Sequence, residues 1–230
     1  MDADRALVFL ACAFVAEVIG TMAGFGAATI LTPIASFFVD IKASVALVAC
    51  FHLVGNAARL SFFGRHIRWD VAVRFGLPGL LLSVAGAQAA AWLPAPQVRL
   101  ILGGFLIVYV LLEGFRVTAI RVPATTRSLV IGGTASGFVA GLIGTGGAIR
   151  SVCLLAFGLP KEAYLGTSAL IALGVDATRL PVYVSQQFLS VSLGPIIGLL
   201  IVAALCGTWT GQRLVRRVSA VRFKQFVLIV

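Results

Sequence analysis

Several side chains able to do chemistry sit inside long apolar runs of this 230-residue chain: Glu17, His52, Asn56, Arg59, Arg150, Asp176 and Arg179. An ionisable group at membrane depth is expensive, so where one is kept it pairs, lines a polar path or serves an ion. Arg59 and Arg179 suit an anion clamp, one on each side of a site. Asp176 lies three residues before Arg179, on the same helical face, and offers it a structural ion pair instead. Arg59 has only neutral Asn56 at that spacing, and its alternative is to snorkel to the cytoplasmic surface. Arg150 follows a glycine break by three residues and is the strongest single candidate for anion contact. His52, Asn56 and Arg59 fall at i, i+4 and i+7, on one face of a helix. Glu17 is an isolated carboxyl whose neutral form is the cheaper resting state. Either His52 or Glu17 suits a proton relay coupled to an anion; otherwise His52 is a packing residue and Glu17 lies near the surface.

These groups are positioned by glycine-rich breaks. In Gly137-Phe-Val-Ala-Gly141-Leu-Ile-Gly144-Thr145-Gly146-Gly147-Ala148 glycine is far denser than a plain span tolerates, at about 1 kcal/mol each inside a helix. Such a run serves either close helix packing, through small residues at four-residue spacing, or a helix broken at membrane depth. Gly144-Thr145-Gly146-Gly147 favours the break. Gly24 and Gly26 form a weaker second copy. A half-helix beginning at each break presents unpaired N–H groups and about half a positive charge to an oxyanion. Thr145, Thr167 and Ser168 add hydroxyl donors, unless they bond to their own helix backbone.

The composition sets the frame. The chain is 60% hydrophobic and 11% charged, with mean hydropathy +1.07, which places it among polytopic membrane proteins. Its net charge of +10 resides in short connectors between apolar runs, the pattern of cytoplasmic loops rather than of a nucleic-acid surface. Cys12, Cys50, Cys153 and Cys206 lie inside apolar runs without metal or disulfide spacing, and neither a cofactor nor a metal is expected. Trp69, Trp92 and Tyr183 fall near span ends and suit interfacial belts. No nucleophile or metalloprotease motif argues for an enzyme.

In chain order the apolar runs are 6–39, 42–63, 71–93, 98–115, 128–159, 163–184 and 191–214, with 219–230 too short to cross alone, as though the natural chain continues or is cut there. An offset of 120 residues (179 − 59) superposes Arg59 on Arg179, Asn56 on Asp176, and Gly24 and Gly26 on Gly144 and Gly146. That register indicates an internal duplication, with one repeat over residues 1–116, a cytoplasmic linker at 117–127 and the second repeat over 128–230. Arg65 and Arg68, and Arg116, Arg121 and Arg127, place two connectors inside. For Arg216 and Arg217 to be inside too, residues 128–159 must turn back on themselves. Thirty-odd residues are too few for two spans and a turn, so a hairpin of half-helices is expected. The expected fold is therefore all-α and integral to the membrane. It has two inverted repeats, each a glycine-broken helical hairpin plus three transmembrane helices.

Ala140-Gly-Leu-Ile-Gly-Thr-Gly-Gly147, then Gly158-Leu-Pro160, then Gly166-Thr-Ser168, resembles the TauE/SafE family of sulfite and organosulfonate exporters over nearly the whole chain. The chain departs from that pattern at Ala148, where a third glycine is usual, at Cys153, near which a proline is usual, and at Arg150. The resemblance implies a multi-pass anion exporter of a bacterial inner membrane, with a small anion and the lipid bilayer as its partners, no nucleic acid, and room for a homo-oligomer. Transport of a small organic acid, or a non-transporting assembly subunit, are the alternatives.

Overall fold

The computed structural model describes residues 3–114, 122–219, 222, 223, 226 and 227. Residues 117–121 of the expected linker at 117–127, and most of the terminal segment at 219–230, lie outside these. The described chain is helical: α1 (Ala3–Ala23), α2 (Ala27–Ala35), α3 (Ile41–Phe63), α4 (Trp69–Trp92), α5 (Ala95–Gly114), α6 (Thr126–Ile143), α7 (Gly147–Ala156), α8 (Lys161–Ser185) and α9 (Gly194–Arg217). Six of these, α1, α3, α4, α5, α6 and α9, are long and apolar enough to cross a membrane. Helix α8 has the length but carries Lys161, Glu162, Asp176 and Arg179.

Local chemistry sets the starts and stops. Asp40 caps α3 by accepting from the Lys42 N–H at 2.9 Å, and Thr125 caps α6 by accepting from the Ser128 N–H at 3.2 Å. Helix α6 ends at Gly144, whose φ of 83° is left-handed and whose N–H returns to the Ala140 carbonyl at 3.0 Å. The chain between α1 and α2 turns at Gly24 (φ 78°) and Gly26 (φ 98°).

Both breaks reverse the chain. Gly20 of α1 lies against Ala27 of α2, the Arg5 guanidinium donates to the Phe37 carbonyl at 3.2 Å, and the Phe9 and Phe38 rings sit 5.2 Å apart. In the second half, the Ser136 hydroxyl donates to the Gly146 carbonyl at 2.7 Å, and Gly132 lies against Cys153. Thus α2 runs back along α1, and α7 back along α6, as two helical hairpins.

The halves then interlock. Helix α4 packs on α6 and α1 packs on α9, while α3 and α8 form the centre and lie against each other. Helices α3 and α8 run antiparallel, since the Phe63 carbonyl meets Gly166, Asn56 meets Asp176, and the Lys42 ammonium lies 5.3 Å from the Phe188 ring just beyond α8. Helix α5 is peripheral, with 11% of its span buried, and does not help to position the site.

The α4–α6 seam shows what the regularly spaced glycines do. A Cβ on Gly133, Gly137 or Gly141 would overlap the carbonyl oxygen of Phe75, Gly79 or Ser83 respectively. These three glycines give close backbone approach, whereas Gly144 and Gly146 make the break. Gly137→Ala should therefore lower stability by about 1–3 kcal/mol through overpacking, read as a lower thermal midpoint of the detergent-solubilised protein. An unchanged midpoint would mean the seam is looser than described.

Trp69 and Trp92 are exposed near span ends, as interfacial residues are. Tyr183 is not. It is fully buried, stacks on Phe188 at 5.3 Å and donates to the Gly141 carbonyl, so its polar end finds a backbone partner inside rather than water.

Candidate functional site

The tips of the two hairpins meet in the middle of the molecule. The Thr29 and Thr145 hydroxyls are hydrogen-bonded at 2.6 Å, and Gly147 faces Phe25 and the Gly26 amide. Between the tips lies a half-enclosed cavity lined by Gly26, Ala28 and Thr29 of the first hairpin, by Ala140, Gly144, Gly146, Gly147 and Arg150 of the second, by His52 of α3, and by Ala172, Val175, Asp176 and Arg179 of α8. The space open to the centre of a water molecule is about 20 Å³. That admits water and is tight for a larger oxyanion.

Two short helices begin at this cavity. Gly26 is the N-cap of α2 and Gly146 that of α7, and neither helix start carries a side-chain cap. Their first-turn N–H groups and the positive ends of both helix dipoles therefore converge there. Only glycine suits Gly146, because a Cβ would overlap the Ser136 carbonyl.

The buried charges form one connected set. Asp176 takes Arg179 on Oδ1, at 2.7 Å from Nη2 and 3.0 Å from Nε, while its Oδ2 accepts from His52 Nδ1 at 2.8 Å and from Asn56 Nδ2 at 3.3 Å. Asn56 in turn accepts from Arg59 Nη1 at 3.0 Å. Arg59 continues to the Thr21 hydroxyl at 3.0 Å and to Glu17 Oε1 at 2.5 Å, and that oxygen also accepts from Thr208 at 2.8 Å. At the other end, Arg179 donates to the Ala140 carbonyl, the acceptor that also closes α6.

Arg150 stands apart. Its Nε donates to the Ser168 hydroxyl at 2.9 Å, and Ser168 donates onward to the Gly24 carbonyl at 2.6 Å. Among the described residues no carboxylate lies within ion-pair distance of it. Three buried guanidiniums, Arg59, Arg150 and Arg179, thus face two buried carboxylates, Glu17 and Asp176. The surplus positive charge rests on Arg150, at the cavity wall. An unpaired buried cation is costly, and a bound anion is what would relieve it.

The candidates fall into three groups. Gly26, His52, Gly144, Gly146, Gly147, Arg150, Asp176 and Arg179 line the cavity. Gly24, Asn56, Thr145 and Ser168 hold the lining residues from behind. Glu17, Arg59 and Thr167 lie further off: Thr167 accepts from the Arg68 N–H at 3.0 Å and so fastens the α3–α4 connector. Two expectations are corrected. Arg59 does not snorkel, because Glu17 neutralises it where only 1% of its surface is exposed. Glu17 is neither isolated nor near the surface, since it is fully buried against that guanidinium. The sequence reading missed Thr29 and the Ala140 carbonyl. Thr29 follows Gly26 by three residues, as Arg150 follows Gly147, so the same offset from the first break would have found it. The carbonyl had no signal.

The family model described as Sulfite exporter TauE/SafE matches residues 9–230. No curated protein matches the chain, and no solved structure does.

Proposed function

The chain belongs to the TauE/SafE sulfite exporter family, and from that premise we propose that it exports a sulfite- or sulfonate-type anion across a bacterial inner membrane by alternating access. The observation that carries this reading is the Arg150 guanidinium, without a carboxylate partner among the described residues, between two uncapped helix starts. Arg150 supplies a full charge, Arg179 a second guanidinium already half-engaged by Asp176, and the first-turn amides of α2 and α7 the directional donors that fit tetrahedral or pyramidal oxygens. The narrowness of the cavity fits a closed state that widens on one side at a time.

Two inverted repeats would provide that motion. In support, the same long helices pair when the halves are exchanged: α1 on α9 corresponds to α6 on α4, and α3 meets its counterpart α8. Asn56 and Asp176, which superpose under the 120-residue offset, touch each other, as residues near a two-fold axis do. Their helices run antiparallel, which favours inversion. With that arrangement Arg65, Arg68, Arg127, Arg216 and Arg217 gather at one end of the bundle, the cytoplasmic end by the positive-inside rule.

Against the assembly-subunit alternative, the four-spaced glycines are already used within the chain, on α4. A small organic acid would suit the same donors and is separated by experiment. In proteoliposomes, sulfite or a taurine-like sulfonate should be taken up and exchanged faster than acetate or lactate. No flux with any of these anions would defeat the proposal, and faster carboxylate flux would move the substrate class. Ser168→Ala should weaken apparent anion affinity about fivefold, the worth of one hydrogen bond of about 1 kcal/mol, because it frees the Arg150 side chain. Unchanged affinity would show that Ser168 does not orient it.

A further inference from the structure

We propose that His52 carries a proton together with the anion, so that a divalent substrate crosses accompanied by one proton; this rests on the anion-site reading above. The tautomer follows from the neighbours. Ionised Asp176 can only accept, so the 2.8 Å contact makes His52 Nδ1 the donor, and the Asn56 amide is served by Asp176 Oδ2 instead. In the neutral ring Nε2 is then a bare acceptor. It is buried and has no partner among the described residues, while the ring lines a cavity that Arg150, Arg179 and the starts of α2 and α7 also line, and whose carboxylate, Asp176, is already engaged by Arg179, His52 Nδ1 and Asn56. A bare acceptor facing those donors is misplaced there. As Nε2–H, the same atom would join Arg150 and the helix amides in donating to an anion.

The charge inventory around His52 says when that proton is taken up. Helix α8 brings Asp176 and Arg179 to it, α7 brings Arg150, and α1 brings Glu17 through Arg59 of α3 itself. On α3 the Cys50 thiol lies two residues before His52, α2 has no ionisable residue, and α9 contributes the Thr208 hydroxyl. With His52 neutral these groups sum to one positive charge. A monovalent anion cancels it. A divalent anion leaves one negative charge buried, and an imidazolium at His52 restores neutrality. The proton comes from water on the loading side, stays on Nε2 during passage, and returns to water when the anion leaves. No bond to the anion is made or broken.

The test uses the full-length protein in proteoliposomes, with anion and proton movements recorded together. The probes are sulfite, kept alkaline so that it is mainly divalent, and ethanesulfonate, which is monovalent throughout. Sulfite flux should move one proton per anion in the wild type, and ethanesulfonate none. His52→Gln, which keeps a polar group near Nε2 but cannot be protonated, should slow sulfite flux more than ethanesulfonate flux, and the protons moved per sulfite should fall to background. The apparent affinity for sulfite should rise as pH falls in the wild type and depend less steeply on pH in the variant. Sulfite flux without protons in the wild type would overturn the inference and leave the transport reading intact. Undiminished proton movement in His52→Gln would also overturn it, since the proton would then ride on the anion. Absence of flux with both probes would defeat the transport reading itself. Should the variant not fold, equal proton movement with both anions in the wild type is the overturning result.

Discussion

Arg150→Met should lower anion flux about 10- to 100-fold while leaving the protein as stable as before, or more so. The flux loss follows from the size of a charge-assisted hydrogen bond, about 1.5–3 kcal/mol. The stability half follows from burial, because Arg150 is 4% exposed and faces no carboxylate among the described residues. Methionine fills similar volume without the desolvation penalty of an unpaired guanidinium. A residue kept for folding would behave the other way, losing thermal stability first. Arg150→Lys should recover part of the flux, since it restores the charge but not the fork that meets both Ser168 and an anion. Measured together, a thermal midpoint and an initial flux rate decide the matter. Normal flux in Arg150→Met would remove Arg150 from the site.

Asp176→Asn should have the largest effect on folding, about 3–5 kcal/mol, because it strands the Arg179 guanidinium inside the protein. Both oxygens of Asp176 are in use, by Arg179 on one side and by His52 and Asn56 on the other, so the amide removes the charge and turns one side's acceptor into a donor facing donors. The control is the double substitution Asp176→Leu with Arg179→Met. Removing both charges should return most of the stability, although not the transport, as Arg179 also lines the cavity. Thermal unfolding in detergent is the measurement. If the single and double variants are equally unstable, the pair is not what holds α8 in place.

What was legible in the sequence was local. Gly24, Gly26, Gly144 and Gly146 announce a break because no other residue tolerates their backbone positions or closeness, and the Asp176–Arg179 pair is visible because three residues bring both onto one helical face. Arg59 was misjudged for the opposite reason. Its partner Glu17 is 42 residues away on α1, and nothing in the spacing joins them. Tyr183 was placed at an interface by its position near a span end, yet its hydroxyl found the Gly141 carbonyl, an acceptor freed where α6 stops. The glycine run was read as serving one purpose when it serves two. Packing glycines and breaking glycines differ only in what faces them, and that is a tertiary fact.

The interlocking of the halves also bears on how the chain is made. Helix α4 leaves the ribosome before α6 exists, and α1 must wait for α9, the last long helix among the described residues. Until then the small-residue faces of α4 and α1 contact lipid or some temporary neighbour, and the Glu17–Arg59 pair has Thr21 and Asn56 around it but not yet the Thr208 hydroxyl. Neither half holds the partners its own first and fourth helices need. Insertion into the bilayer and completion of the fold are therefore separate events, the second triggered by the arrival of the carboxy-terminal helices.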